Sequence, residues 1–401
     1  MSFLAYPVTE NQKKIVAMAG ELADTFAKRA ARDDWEGRFP RENFEDLHRA
    51  GYLTLTVPRD FGGWGASVLD VTLAQERLAR GDASTALVAS MHLVHIARLA
   101  LGISGSNAVF EQICRDVVQE GAMINAAASE PATGSPSRGG RPTTVARRQA
   151  DGSWRINGRK TFTTGSYALK YFVVSCSLED EAPAGLKPLT SDRGSFLVTA
   201  GTPGLYIEDT WNTLGMRGTA SNDVVLEDVY VGPVAYVEEV LPTSVGKGRP
   251  AAWGFSTVAI YLGIAQAARD AAVQFAQKRR PNSLNQSIAS VPHIQEKVAK
   301  MELALLQSRA VLFGIAEQFT NAPDSVHDSQ FSAAKYLVTN HAVEVVDLAM
   351  RVVGGASLSL ALPLQRYYRD VRAGLHQPPM DDVTIGQLAR HALEVKENTQ
   401  Q

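Results

Sequence analysis

His376 stands in the part of this chain richest in groups able to do chemistry. Arg366, Tyr367, Tyr368, Arg369 and Asp370 lead up to it, Pro378-Pro379 follow, and Asp381 and Asp382 close the stretch. A histidine changes charge near neutrality, so it can give or take a proton without a large shift. The prolines under it stiffen the backbone. Asp381 and Asp382 read as an N-cap and a first-turn acid for a last helix over VTIGQLARHALEV, with a displaced catalytic base as the alternative. Gly354-Gly355 break a helical pattern upstream, as a helix stop or a place where backbone can approach a ligand. His92 and His95 stand at i, i+3 in SMHLVHIARL and could face one metal. No carboxylate or cysteine sits beside them at ligand spacing, so core or pocket-wall histidines are the plainer reading.

The elements that must position these groups follow from the hydrophobic pattern. Residues 1–122 read as helical: Phe44 and Leu47 fall at i, i+3, Gly51 stops that helix, and a loop rich in Pro58, Gly62, Gly63 and Gly65 follows. Residues 123–240 read as β, with KTFTT, YFVVSCS, GSFLVTA and DVVLEDVYV rich in β-branched and aromatic residues. Asp151-Gly152 and Asn157-Gly158 look like hairpin turns flanking a short strand, SWRI, so a compact antiparallel barrel or sandwich is expected. Residues 241–401 read as a bundle of long helices. Ile294, Val298, Met301, Leu305, Leu312 and Ile315 make one stripe; Val338, Ala342, Val345, Ala349 and Val352 make another. The fold class is therefore α+β, mainly α: helices, then sheet, then bundle.

Composition narrows the class further. The 401 residues suffice for two or three domains, and a net charge of −2 leaves no electrostatic footprint for nucleic acid or an anionic membrane. The longest apolar run, Ala251–Ala268, carries Ser256, Thr257, Gln266 and two glycines, so a buried helix is expected there and not a membrane span. Two cysteines, Cys114 and Cys176, and no visible secretory signal point to a reducing, cytoplasmic setting. No G-x-G-x-x-G, Walker-type loop or G-x-S-x-G elbow is present, which argues against a Rossmann site, a P-loop and a nucleophile-elbow hydrolase.

Six segments in order carry a family resemblance. They are FPRENFEDLHRAGYLTLTVPRDFGGWGAS, SEPATGSPSRG from Ser129, INGRKTFTTGS, LGMRGTASNDVVLEDVYV, GIAQAARDAAVQFAQKR and RVVGGAS with YYRDVR. Together they resemble the acyl-CoA dehydrogenase superfamily of flavoproteins over nearly the whole chain. The resemblance implies a bound FAD or FMN. It places Ser129, Gly134 and Ser135 on a loop before the flavin, Phe162, Thr163 and Thr164 against the isoalloxazine, and Arg279 on the pyrophosphate of a neighbouring subunit's cofactor. Arg351, in place of the usual glutamine, and Gly354 and Gly355 would lie by the adenine portion. It also implies a homotetramer and a small-molecule substrate such as an acyl-CoA.

The departures matter more than the matches. A dehydrogenase of this kind needs a carboxylate base over the flavin. At its commonest place the usual Glu-Gly-Thr reads Pro378-Pro379-Met380, and the alternative place falls on Trp253. The Phe-Gly expected after the bundle arginine reads Asn282-Ser283. His376, in a His-x-Pro segment, is instead similar to a catalytic histidine of the superfamily's monooxygenases, and His92 to a second pocket histidine there. In that branch reduced flavin, fed by a separate reductase, reacts with O2 through a C4a-hydroperoxyflavin. The expected function is such a monooxygenase. An acyl-CoA dehydrogenase or oxidase with a displaced base is the alternative, and a non-catalytic flavin- or acyl-binding homologue the third.

Overall fold

The computed structural model describes residues 6–102, 107–134, 140–180, 189, 191–233 and 254–397. Helices α1 (Glu10–Phe26), α2 (Ala30–Glu36), α3 (Arg41–Arg49), α4 (Val68–Ala79), α5 (Ala83–Gly102) and α6 (Ala108–Glu120) come first. Thr9 and Gln12 form a reciprocal cap on α1, as Ser67 and Asp70 do on α4. Gly121, at φ 68°, ends α6 in the left-handed conformation that glycine adopts without strain.

The sheet is seven-stranded: β1 (Met123–Ala127), β2 (Val145–Arg148), β3 (Trp154–Lys160), β4 (Leu169–Asp180), β5 (Arg193–Thr199), β6 (Leu205–Glu208) and β7 (Asp223–Val231). Its order is β1-β4-β2-β3-β7-β6, with β5 also on β4. The sheet is mixed where a wholly antiparallel one was expected, because β4 pairs in parallel with both β1 and β2. Hairpin signals reveal only pairs joined by a tight turn, and β4 reaches its parallel partners by crossover. Asp151-Gly152 does turn β2 into β3, with Gly152 at φ 83°. Asn157-Gly158 does not turn: β3 runs through it to Lys160, with a register shift against β7. A Cβ at Gly158 would lie 2.4 Å from Thr144 Oγ1, so this glycine admits a close neighbour.

The C-terminal helices are α7 (Phe255–Lys278), α8 (Pro292–Asn321), α9 (Asp328–Val353), α10 (Leu364–Val371) and α11 (Asp381–Glu397). Every residue of the α9 stripe foreseen in the sequence is buried. Helix α7 is the hub, packed on α4, α5, α8, α9 and α10. Gly263 lets α7 touch α4 backbone to backbone; a Cβ there would lie 2.4 Å from the Glu76 carbonyl oxygen. Helix α5 is apolar enough over Ala83–Leu101 to cross a membrane by composition, yet most of that stretch is buried inside the protein, as in a core helix.

The three parts meet at α10. Arg369 donates to both carboxylate oxygens of Asp34, to the Leu214 carbonyl and to Gln365. Asp370 Oδ1 accepts the Met216 amide at 2.6 Å. Burial pushes the Asp370 carboxyl up to about 7, against the pull of the Met216 amide and of Arg366. A carboxyl raised in the folded state favours folding below its ordinary value of 3.8, and that contribution is lost as pH rises through about 7. Asp370→Asn keeps an acceptor for Met216 and removes the ionisation. Its stability in urea titrations should gain on the wild type by on the order of 2 kcal/mol between about pH 5 and pH 7.5. A gap that does not change with pH would show that Asp370 ionises freely.

Candidate active site

The segment after β3 forms an apolar wall. Phe162 adopts φ 54°, uncommon for a bulky residue, and its ring is 63% exposed. It meets Trp211 edge-on, with ring centroids 5.8 Å apart. Backbone bonds fix the segment from both sides: the Thr161 amide donates to Ser129 O at 2.9 Å, Thr163 to Asn222 O at 3.2 Å and Gly165 to Thr219 O at 2.9 Å. Thr164 Oγ1 lies 3.0 Å from Ser221 Oγ, and Thr163 Oγ1 is buried without a partner. An exposed aromatic beside Trp211, with hydroxyls next to it, fits a flat ring system with a polar edge such as a flavin.

A buried ion pair holds this wall to the preceding loop. Glu130 Oε1 lies 2.6 Å from Lys160 Nζ, and neither side chain is exposed. Glu130 also accepts the Thr143 amide and hydroxyl, the Thr144 amide and, at 3.3 Å, the Thr133 hydroxyl. Burial alone would raise the Glu130 carboxyl; Lys160 and these donors instead hold it well below the usual carboxylate range. Glu130 and Gly134 exchange backbone bonds that close the loop. Sequence reading chose Ser129 and Gly134 and passed over Glu130 and Lys160. An acid after Ser129 and a lysine ending INGRK were the available signals.

Behind β1 lies a cavity of about 160 Å³ between α5, α7, α9 and the Gln377-Pro378 segment. Met91, Val94, Val258 and Phe331 give it an apolar body. Its polar lining includes His95, Arg98, Tyr261, Lys335 and Gln377, and no aspartate or glutamate among the described residues. Strand β1 connects cavity and wall: Asn125 Nδ2 donates to the Thr164 carbonyl at 2.8 Å, and the Ala126 amide reaches both Asn125 Oδ1 and His95 Nε2. Burial, then the Arg98 charge, push the His95 imidazole down to about 3, so it is neutral at physiological pH.

The histidines singled out in the sequence occupy different places. His92 is fully buried, with Nε2 3.0 Å from Leu53 O and Nδ1 accepting the Ile124 amide at 3.2 Å. Burial lowers it to about 4, and with both nitrogens bound to backbone it ties α5 to β1 and does not line the cavity. The pocket-wall histidine is His95. His376 is exposed at the end of a short 3-10 turn, next to Gln377 and Pro378 of the cavity lining. Ser129 is half-buried and Gly134 exposed on the Glu130 loop. Arg279, at the C-terminus of α7, Arg351, in the last turn of α9, and Gly354-Gly355 are exposed on the bundle, on elements other than those of the wall. Ser135 and Trp253 lie outside the described residues. Asp381 and Asp382 do open α11, and Asp381 accepts from Lys335 and Asn340.

Helices, a mixed sheet and a helical bundle, with an aromatic wall at the end of a strand and a cavity behind it, fit a flavoprotein oxidoreductase, and the relatives of this chain are enzymes of that class. The sequence matches the N-terminal, middle and C-terminal domains of acyl-CoA dehydrogenase over residues 9–120, 125–229 and 254–392. It is 49% identical over 386 residues to "Putative acyl-CoA dehydrogenase YdbM" of Bacillus subtilis, covering 96% of this chain and 98% of that one. It is 31% identical to the amino sugar nitrososynthase DnmZ of Streptomyces peucetius, covering 92% of this chain and 90% of that protein. Among solved structures, KijD3 in complex with FMN and a dTDP-amino-keto sugar superposes with a TM-score of 0.82 at 26% identity, over 98% of this chain and 96% of that one. The chain belongs to the acyl-CoA dehydrogenase superfamily of flavoproteins.

Proposed function

We propose that this protein is a monooxygenase that uses reduced flavin, FMN or FAD, and O2 to oxygenate a small molecule. One observation carries the reading: among the described residues, the lining of the cavity beside the flavin wall contains no carboxylate, and Pro378 lines it where the family's base commonly stands. Removing an α-proton from a thioester needs a base within hydrogen-bond reach, and a neutral His95 bound to a backbone amide is a poor one. The nitrososynthases among the relatives, and the FMN in the KijD3 structure, favour oxygen chemistry and FMN.

Phe162, Thr163 and Thr164 would hold the flavin ring, and the flavin, once bound and reduced, would supply the electrons that activate O2. The protein's own contribution is to orient the substrate in the cavity, exclude water from it, and offer the His376 imidazole for proton transfer at its rim. A separate reductase would deliver the reduced flavin. Two buried free thiols, Cys114 and Cys176, suit a cytoplasmic setting. Exposed Leu303 and Leu306 on α8, and Leu358 and Leu360 after α9, support a homotetramer in which Arg279, Arg351 and Gly354-Gly355 serve a neighbour's flavin. A solution mass of one chain by light scattering would overturn that assembly.

Rapid mixing of the reduced, flavin-loaded protein with O2 tests the reaction. The expected result is a transient absorbing species distinct from both oxidised and reduced flavin. The 49% identity to YdbM favours a second reading, an acyl-CoA dehydrogenase with a displaced base. Anaerobic bleaching of the bound flavin by acyl-CoAs, with no transient in O2, would establish it in place of the first.

A further inference from the structure

The cavity has more donor character than an acyl chain requires. Among the described residues of its lining, the charged ones, Arg98 and Lys335, are cationic. Lys335 is 1% exposed, and its ion-pair partner, Asp381 Oδ1, stands at 3.4 Å, the long end for such a pair. Asp381 is itself 36% exposed, and its other oxygen is engaged by Asn340. Tyr261 lines the same space; Gln377 stands beside its buried hydroxyl and donates to the oxygen, which leaves the O–H free to donate to an occupant. A buried donor left without an acceptor costs about 1–3 kcal/mol, more when charged, so a site of this kind favours an occupant that accepts from it.

The volume limits that occupant. About 160 Å³ is close to the roughly 150 Å³ apolar cavity that holds one benzene. We infer that the cavity recognises a compact, ring-sized substrate headed by a carboxylate, which Lys335 pairs with and Tyr261 Oη donates to, while Met91, Val94, Val258 and Phe331 enclose its apolar body. The inference rests on the proposed function only in placing the substrate in this cavity. Burial raises the Tyr261 phenol, which keeps it a donor, and lowers Lys335, which an incoming carboxylate would reverse.

Benzoate and benzamide, matched in size and differing in charge, are the probes. They are titrated calorimetrically into the oxidised, flavin-loaded protein with no reductant present. Benzoate should bind at least about tenfold more tightly than benzamide, the ratio a charged hydrogen bond supports. Lys335→Met should abolish that preference and leave benzamide binding unchanged. Tyr261→Phe should weaken both probes at unchanged melting temperature. Asp381→Asn removes the competing acid and should strengthen benzoate binding, which keeps the test decisive if Lys335→Met does not fold. Equal affinity for the two probes, no binding of either, or equal loss of both in Lys335→Met would overturn the assignment; the last outcome would leave Lys335 only tying α9 to α11. Because no O2 or electrons enter the titration, its result is independent of whether the reduced flavin forms a transient with O2.

Discussion

Lys160→Met should destabilise the protein by about 3–5 kcal/mol, the cost of leaving one member of a buried ion pair without its partner. Glu130 would keep its Thr143 and Thr144 donors but lose the cation paired with it at 2.6 Å. The sign with pH follows from the depressed Glu130 carboxyl. A carboxyl held low in the folded state contributes stability above its ordinary value of 4.5, and loses it only as pH falls well below that. The wild-type pair is therefore fully effective at neutral pH. In Lys160→Met the carboxyl would rise, so the deficit should narrow on acidification. Glu130→Gln with Lys160→Met should recover part of the loss, because no charge stays buried; the recovery is incomplete because the Thr143 and Thr144 amides donate to different carboxylate oxygens and the glutamine keeps only one acceptor. Urea unfolding of the wild type and the two variants at neutral and acid pH checks this, and equal stability of the single variant and the wild type would refute it. Flavin retention should fall in parallel, because the pair anchors Lys160 just before Thr161 and Phe162.

The second large effect is expected in turnover. Under the monooxygenase reading His376→Ala should lower product formation by about 10²–10⁴-fold, the range for losing a general acid or base. Stability should stay within about 0.5 kcal/mol, because the side chain is exposed. That combination separates a role in chemistry from one in folding. Melting curves measured beside single-turnover product yields would show it. Undiminished yield would remove His376 from the mechanism and leave His95 as the histidine closest to the substrate.

The order of helices, sheet and bundle was legible because hydrophobic periodicity is a local property. Val338, Ala342, Val345, Ala349 and Val352 announce one face of α9 whatever they pack against. The sheet was less legible. Asn157-Gly158 reads as a turn in isolation, and only the approach of Thr144 shows that its glycine serves a close contact inside β3. The parallel pairing of β4 with β1 and β2 lies between segments distant in sequence, where no turn chemistry marks it. The site was legible in the same uneven way. Phe162 could be picked from its motif, but its left-handed backbone and exposed ring could not. His92 and His95 are indistinguishable by type, and one helical step decides which is locked to Leu53 and Ile124 and which faces the cavity. Lys335 sits within a helical stripe and carries no sequence signal, because its meaning depends on the distance to Asp381.

The backbone contact at Gly263 reaches beyond packing. Every residue of α4 except Arg77 is buried, and α4 lies against α7, whose other neighbours include α5 and α9. The helices that wall the cavity are thus fastened to the middle of the molecule. An occupant that binds the folded chain and not the unfolded one stabilises it. At a hundred times its Kd a compound gives about 2.7 kcal/mol of added stability. Melting temperature alone could then sort a collection of small molecules for this site, before any flavin is reduced or any product is known.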